Sequence, residues 1–184
     1  MNLLNFISNS PAFKKQLEEM RPRLYKVAYS WCHCADIADD LVQDTVIKAV
    51  RNAKSLRDIE KMNSWLFTIL TNCWRDYLRR QKPSDDIDTF IFTDDNTPEL
   101  IQERQNITDI VQQAVATLPQ GQRQVLSLVD LEGFSYAEVA GIIGVPTGTV
   151  MSRLNRARKA LSVQLLELKE QNILTPDTHI RVVK

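Results

Sequence analysis

The stretch WCHCADIADDLVQD, residues 31–44, concentrates the side chains that do metal chemistry. Asp39, Asp40 and Asp44 are carboxylates close enough in sequence to chelate magnesium, and Cys32, His33 and Cys34 are side chains that zinc prefers. Spacing argues against both. Asp40, Gln43, Asp44 and Lys48 stand at i, i+3, i+4 and i+8, so on a helix they share one polar face, opposite Leu41 and Val42. A magnesium centre needs a second acidic cluster facing the first, and the other acid-rich stretch has no helical frame. Three adjacent residues splay around a helix axis and cannot converge on one zinc. The expectation is a helix ending at the cysteines and another opening at the aspartates, with no metal, cofactor or catalytic residue. A redox role for the thiols stays open.

The second set of reactive types is cationic. The chain of 184 residues has net charge zero, with 43% hydrophobic residues, but its charges are segregated. Residues 61–82 carry Lys61, Arg75, Arg79, Arg80 and Lys82 against Asp76, a net of +4. Residues 83–109 have a net of −7, and residues 147–161, with Arg153, Arg156, Arg158 and Lys159, return to +4. Two basic segments flanking an acidic one suit a nucleic-acid binder better than the overall charge suggests.

The elements that must position these groups are helical. Five glycines and few alternating β-branched runs point to an all-α chain. Phe13, Leu17, Met20, Leu24, Val27, Ala28 and Trp31 form one apolar stripe. Leu41, Val42, Thr45, Val46 and Ala49 form a second, and Met62, Trp65, Leu66, Ile69, Leu70, Cys73 and Tyr77 a third. These predict a helical domain over about residues 11–82. Residues 83–105 lose the period, carry two prolines and many acids, and read as a linker whose apolar TFIF segment docks somewhere. Periodicity resumes at Ile107, Ile110, Val111, Ala114, Val115 and Leu118, is stopped by Pro119, and continues through Val125, Leu126, Leu128, Val129 and Leu131 to Gly133. This predicts a second helical domain over residues 106–168, followed by a tail, 169–184, of unassigned role. Three cysteines are read as reduced thiols. The amino terminus lacks the basic flank and cleavage pattern of a signal peptide, so a soluble, cytoplasmic protein is expected.

The sharpest local pattern is FSYAEVAGIIGVPTGTVMSRLNRARKAL, residues 134–161. Ser135 and Glu138 make a capping box that starts a helix. Gly144 supplies a left-handed cap and Pro146 prevents continuation. Thr147 is expected to cap a second helix anchored by Val150 and Leu154. Helix, tight turn, helix is the helix-turn-helix pattern, and its second helix presents Thr149, Ser152, Arg153, Asn155, Arg156, Arg158 and Lys159 for bases and phosphates.

On these residues the chain resembles the bacterial extracytoplasmic-function (ECF) RNA polymerase sigma factors. SYAEVAGIIGVPTGTVMSRLNRARKAL is similar to their promoter-binding helix-turn-helix, and ATLPQGQRQVLSLVDLEGFS to the helix pair before it. ADDLVQDTVIKAV resembles their polymerase-gripping stretch, and NSWLFTILTNCWRDYLRR their −10 segment. The resemblance spans about residues 11–168. It implies two small helical domains joined by an acidic linker. Asp40, Gln43, Asp44 and Lys48 would then dock on the β′ clamp of core RNA polymerase. Lys61, Asn63, Asn72, Arg75, Arg79 and Arg80 would bind single-stranded −10 DNA, with Trp74 and Tyr77 as stacking candidates that core packing explains equally well. Thr147, Thr149, Ser152, Arg153, Arg156 and Arg158 would bind the double-stranded −35 element. Further implied partners are the β flap of the polymerase and an anti-sigma factor, which would hold the protein inactive and could tether it at the inner membrane; no small-molecule substrate is expected. Val50 and Met151 depart from the pattern, standing where many relatives carry an aromatic residue and an arginine. A free-standing helix-turn-helix regulator with a helical sensor domain is the alternative, but it leaves the first basic segment and the clamp-like helix unexplained.

Overall fold

A computed structural model describes residues 10–56, 58–81 and 107–170, with the side chains of 107–109 and 168–170 excepted. The linker and nearly all of the tail predicted from sequence lie outside these residues. The first helix, α1 (Pro11–Cys32), begins where sequence rules place it. Ser10 Oγ accepts the Phe13 N–H at 3.1 Å, and Pro11 takes the first helical position, where no N–H is needed. Its whole predicted stripe, Phe13 through Trp31, is buried. The helix stops at His33, whose φ of 51° is left-handed and whose N–H closes on the Tyr29 carbonyl at 2.7 Å. Extended Cys34 then leads into α2 (Ala35–Asn52). The cysteine–histidine triplet is thus a helix end and a two-residue connection.

Helix α2 buries Ala38, Leu41, Val42, Thr45 and Ala49, and Thr45 satisfies its hydroxyl on the Leu41 carbonyl at 2.7 Å. After two short 3₁₀ turns, α3 (Met62–Gln81) crosses α1 and α2. Here the expected stripe is incomplete. Met62, Leu66, Leu70 and Cys73 are buried, but Trp65, Ile69 and Tyr77 are only partly so. Phe67, Thr71, Trp74 and Leu78 are buried as well. Helix α3 therefore has two interior faces, and a single-stripe pattern finds only one.

The second face is needed because the carboxy-terminal half packs on it. That half comprises α4 (Ile107–Ala116), α5 (Gln120–Leu126) with a π-helical turn at Ser127–Leu131, α6 (Tyr136–Ile143) and α7 (Thr147–Glu170). The π turn runs the Glu132 N–H to the Ser127 carbonyl at 3.2 Å, one residue wider than an α-helical bond. The extra residue rotates the following positions, so Leu131, expected in the core, is 62% exposed. Gly133 then turns the chain at φ 75°, as anticipated.

Among the described residues, side chains of both halves meet at several points. The Trp31 indole N–H donates to Ser127 Oγ at 2.7 Å. Arg23 straddles Glu132, with Nε and NH2 to Oε2 at 2.8 and 2.7 Å. Phe67 meets Phe134 edge to face with ring centroids 5.3 Å apart. The Arg75 guanidinium donates to the Ile143 carbonyl at the end of α6. The two described halves are in contact in this conformation.

Local capping is testable. In the capping box the Glu138 N–H donates to Ser135 Oγ at 3.3 Å, and Glu138 Oε2 accepts the Ser135 N–H at 2.8 Å. These hydrogen bonds to Ser135 hold the Glu138 carboxyl below its usual pKa. A depressed carboxyl contributes stability that is present above the unfolded pKa and lost as pH falls through the folded one. Urea titration of Ser135→Ala should show a loss of about 1 kcal/mol at neutral pH. The stability gap between wild type and Glu138→Gln should close as the buffer is taken into the acid range.

Candidate polymerase and nucleic-acid interfaces

The first predicted set lies on α2. Asp40, Gln43 and Asp44 are exposed on one face, as their spacing requires. Lys48 is only partly free. Its Nζ pairs with Asp76 of α3 at 3.2 Å, and that bond raises the ammonium pKa although burial pulls the other way. Two aliphatic residues complete the face, Ile47, which a polarity-based reading passes over, and Val50. Ile47 and Val50 are exposed large hydrophobics of α2. A surface of three polar acceptors beside two uncovered aliphatic side chains suits a protein partner more than an ion. Among the described residues no group of three or more His, Cys, Asp or Glu side chains could hold a metal.

The second set divides. Asn72, Arg75 and Arg79 stand at i, i+3 and i+7 on α3, together with half-buried Trp65 and Thr68, and form one strip. Arg80 flanks it, Lys61 is exposed in the 3₁₀ turn before the helix, and Asn63 lies toward the opposite side. Of the stacking candidates, Trp74 is fully buried and lies parallel to Tyr77 with ring centroids 5.5 Å apart, so it belongs to the core. Trp65, read from its spacing as core, packs against that core and is only partly buried. Arg75 is engaged by the Ile143 carbonyl; burial, then Arg79 and Arg153 nearby, lower its pKa.

The third set lies on α7. Gly144 adopts φ 67° and its N–H closes on the Ala140 carbonyl at 2.9 Å, the turn expected of a helix-turn-helix. The second helix begins at Thr147 itself. The Thr149 and Val150 N–H groups both reach the Pro146 carbonyl, at 2.9 and 3.2 Å, so Thr147 is the first helical residue rather than the cap. Thr149, Ser152, Arg153 and Arg156, at i, i+3, i+4 and i+7, share a face away from the buried Val150, Leu154 and Ala157. Thr147 and Arg158 fall on another flank. Arg158 is bidentate on Asp130, NH2 to Oδ1 at 2.5 Å and Nε to Oδ2 at 3.3 Å, and this pairing raises its pKa. Its position in a basic run gave no sign that an acid 28 residues earlier would claim it. Arg153 lies over Gly121 of α5, where an added Cβ would sit 3.0 Å from its Cζ.

The thiols are separable by burial. Cys32 and Cys73 are buried and Cys34 is half-exposed. Burial pushes the Cys32 thiol up to about 11, so it is protonated at neutral pH, and it donates to the Cys34 carbonyl at 3.2 Å. Iodoacetamide on the native protein should therefore label Cys34 well ahead of Cys32 and Cys73, by roughly tenfold or more in rate. Peptide mass mapping over time checks the order.

A helix-turn-helix with an arginine-bearing second helix, packed on a three-helix unit with its own basic strip, defines an all-α DNA-binding protein. The Sigma-70 region 2 family matches residues 17–83, and the Sigma-70 region 4 family matches residues 108–161. The ECF RNA polymerase sigma factor EcfG of Rhodopseudomonas palustris is 39% identical over 164 residues, 88% of this chain and 89% of that one. The ECF RNA polymerase sigma-E factor of Escherichia coli K12 is 34% identical over 134 residues, 66% of this chain and 70% of its own length. Among solved structures, the sigma factor RpoE in complex with the anti-sigma factor NepR from Bartonella quintana superposes with a TM-score of 0.70. It is 31% identical and covers 84% of this chain and 97% of that one. CnrH, in complex with the cytosolic domain of CnrY, gives 0.62 at 26% identity, covering 90% of this chain and 96% of that one. The chain belongs to the ECF RNA polymerase sigma factors, alternative sigma factors that direct transcription initiation.

Proposed function

We propose that the amino-terminal unit, about residues 11–82, docks on the β′ clamp of core RNA polymerase. Asp40, Gln43, Asp44 and Lys48 would make the contact, with Ile47 and Val50 as apolar anchors. The carboxy-terminal unit, about residues 106–168, reads the −35 duplex with Thr149, Ser152, Arg153 and Arg156 and meets the β flap. Asn72, Arg75 and Arg79, with Arg80 and Lys61 flanking, hold the melted −10 strand, and Trp65 offers the stacking surface. The chain itself carries no catalytic step; bond formation belongs to the polymerase. It acts in the cytoplasm; no helix among the described residues is long and apolar enough to cross a membrane. An anti-sigma factor holds it in check, a reading supported by the partners of the superposed RpoE and CnrH.

The observation that carries this reading is the pair of cationic strips on α3 and α7, each at helical spacing and each on a unit of its own. Run-off transcription with core polymerase over a promoter library tests it, and absence of any promoter-dependent product would refute it. Within that assay, Arg153→Ala should weaken binding to the preferred −35 sequence by roughly 1–3 kcal/mol and relax preference at one base pair. Equal loss on all sequences would assign it to phosphate instead. The double variant Asp40→Ala and Gln43→Ala should lose core polymerase in a pull-down while retaining wild-type affinity for −35 duplex.

A further inference from the structure

Gly121 stands where a helix has little use for a glycine. It is the second residue of α5, and no left-handed backbone angle calls for it; the glycines with positive φ are Gly133 and Gly144. Glycine within a helix is destabilising relative to alanine, because it gives up more backbone freedom on folding. What the position gains is bare space where a side chain would stand, and the side chain of Arg153 occupies that space.

A Cβ added at Gly121 would stand 3.0 Å from Arg153 Cζ, 3.2 Å from Nε and 3.2 Å from Nη1. The carbon at the centre of the guanidinium is nearer than either nitrogen, so the Cβ would lie over the plane of the group and not at its edge. The guanidinium is therefore laid flat on the backbone of α5. Its own backbone is held as well. Val150 and Leu154 are buried on either side of Arg153 along α7, and α7 packs on α5. Both residues of the contact are half-buried, so the seat lies at the margin of the core beside the exposed Ser152 and Arg156. A contact made through the face of a guanidinium leaves its N–H edge as the part that is aimed, and that edge is what pairs with phosphate or with guanine. An arginine has several rotatable bonds to immobilise when it binds. One already held flat loses less freedom at that step.

We propose that Gly121 is the positioning residue of Arg153: by omitting a side chain it gives the guanidinium a flat seat on α5 and sets the direction in which its N–H edge meets the −35 duplex. This rests on the DNA role proposed above for Arg153, and Gly121 acts through that arginine. Any other residue at this position brings a Cβ into the seat. The cheapest relief is movement of the guanidinium, the far end of a flexible side chain, while α5 keeps its helix. Alanine at this position thus separates two effects that usually travel together. It improves the helix and unseats the arginine.

The test uses the full chain carrying Gly121→Ala, Arg153→Ala or both, with binding to the preferred −35 duplex read by fluorescence anisotropy. Gly121→Ala should melt at or above the wild-type temperature, because alanine is the better helix former, and yet bind about fivefold or more weakly. In the Arg153→Ala background the same change should alter affinity by less than about twofold, because the group it displaces is gone. Wild-type affinity in Gly121→Ala while Arg153→Ala is weakened, or an equal loss in both backgrounds, overturns the proposal. A lowered melting temperature would put the clash on the backbone of α5 and overturn it too. A second readout needs no DNA. In isotope-labelled protein the Arg153 Nε–H resonance, assigned by its loss in Arg153→Lys, should have the relaxation of an ordered side chain. It should shift and lose that order in Gly121→Ala, and a resonance that stays put overturns the proposal. A resonance that responds, in a protein whose Arg153→Ala variant binds duplex as tightly as wild type, supports the seat and refutes the DNA role of Arg153. The two readings therefore fail separately.

Discussion

Trp31 is a large ring with one polar atom, and both properties must be satisfied at once. Its body completes the core of the amino-terminal unit, where α1, α2 and α3 meet. Its N–H donates to Ser127, in the π turn of the other half. A buried indole N–H left unpaired costs on the order of 1–3 kcal/mol, so the register between α1 and the π turn is set to a single hydroxyl. From that point the remaining cross-contacts follow: Arg23 reaches Glu132 two turns down α1, Phe134 meets Phe67, and the end of α6 arrives over Arg75. The groove left open beside this seam, with Tyr25, Tyr29, Val115 and Leu131 along it, is the space the two units do not fill.

What the sequence made legible is whatever depends on neighbours within one helical turn or two. The capping box at Ser135, the left-handed Gly144, the helix end at His33 and the apolar stripes of α1 and α2 all belong to this class. The strip of Asp40, Gln43 and Asp44 and the strip of Thr149, Ser152, Arg153 and Arg156 were legible for the same reason, because spacing alone places them. The illegible part is non-local. Thr147 lost its capping role because Pro146 already offers the carbonyl on which the helix can start. Arg158 and Lys48 were taken by Asp130 and Asp76, each 28 residues away. Leu131 was carried outward by a wider helical turn that no apolar pattern signals. The second interior face of α3 exists only because another unit covers it.

Charge is distributed so that neither unit is electrostatically content in the docked form. Arg75, Arg79 and Arg153 gather on one side, and burial together with these neighbours already lowers the affinity of Arg75 for its proton. On the other side Glu132 sits in a site that raises its carboxyl pKa by burial even though Arg23 and Lys26 pull it down.

The π turn at Ser127–Leu131 has a consequence of another kind. A turn with one residue too many is the structural trace that a single-residue insertion leaves inside a helix whose ends are both pinned. Removing one residue there would let α5 run on as an ordinary helix, bring the Leu131 side chain back toward the interior and rotate Glu132 away from Arg23. Length variation among related chains at this site is therefore a change of geometry as well as of size. A one-residue difference decides which side chain of the segment faces inward and which meets the other half.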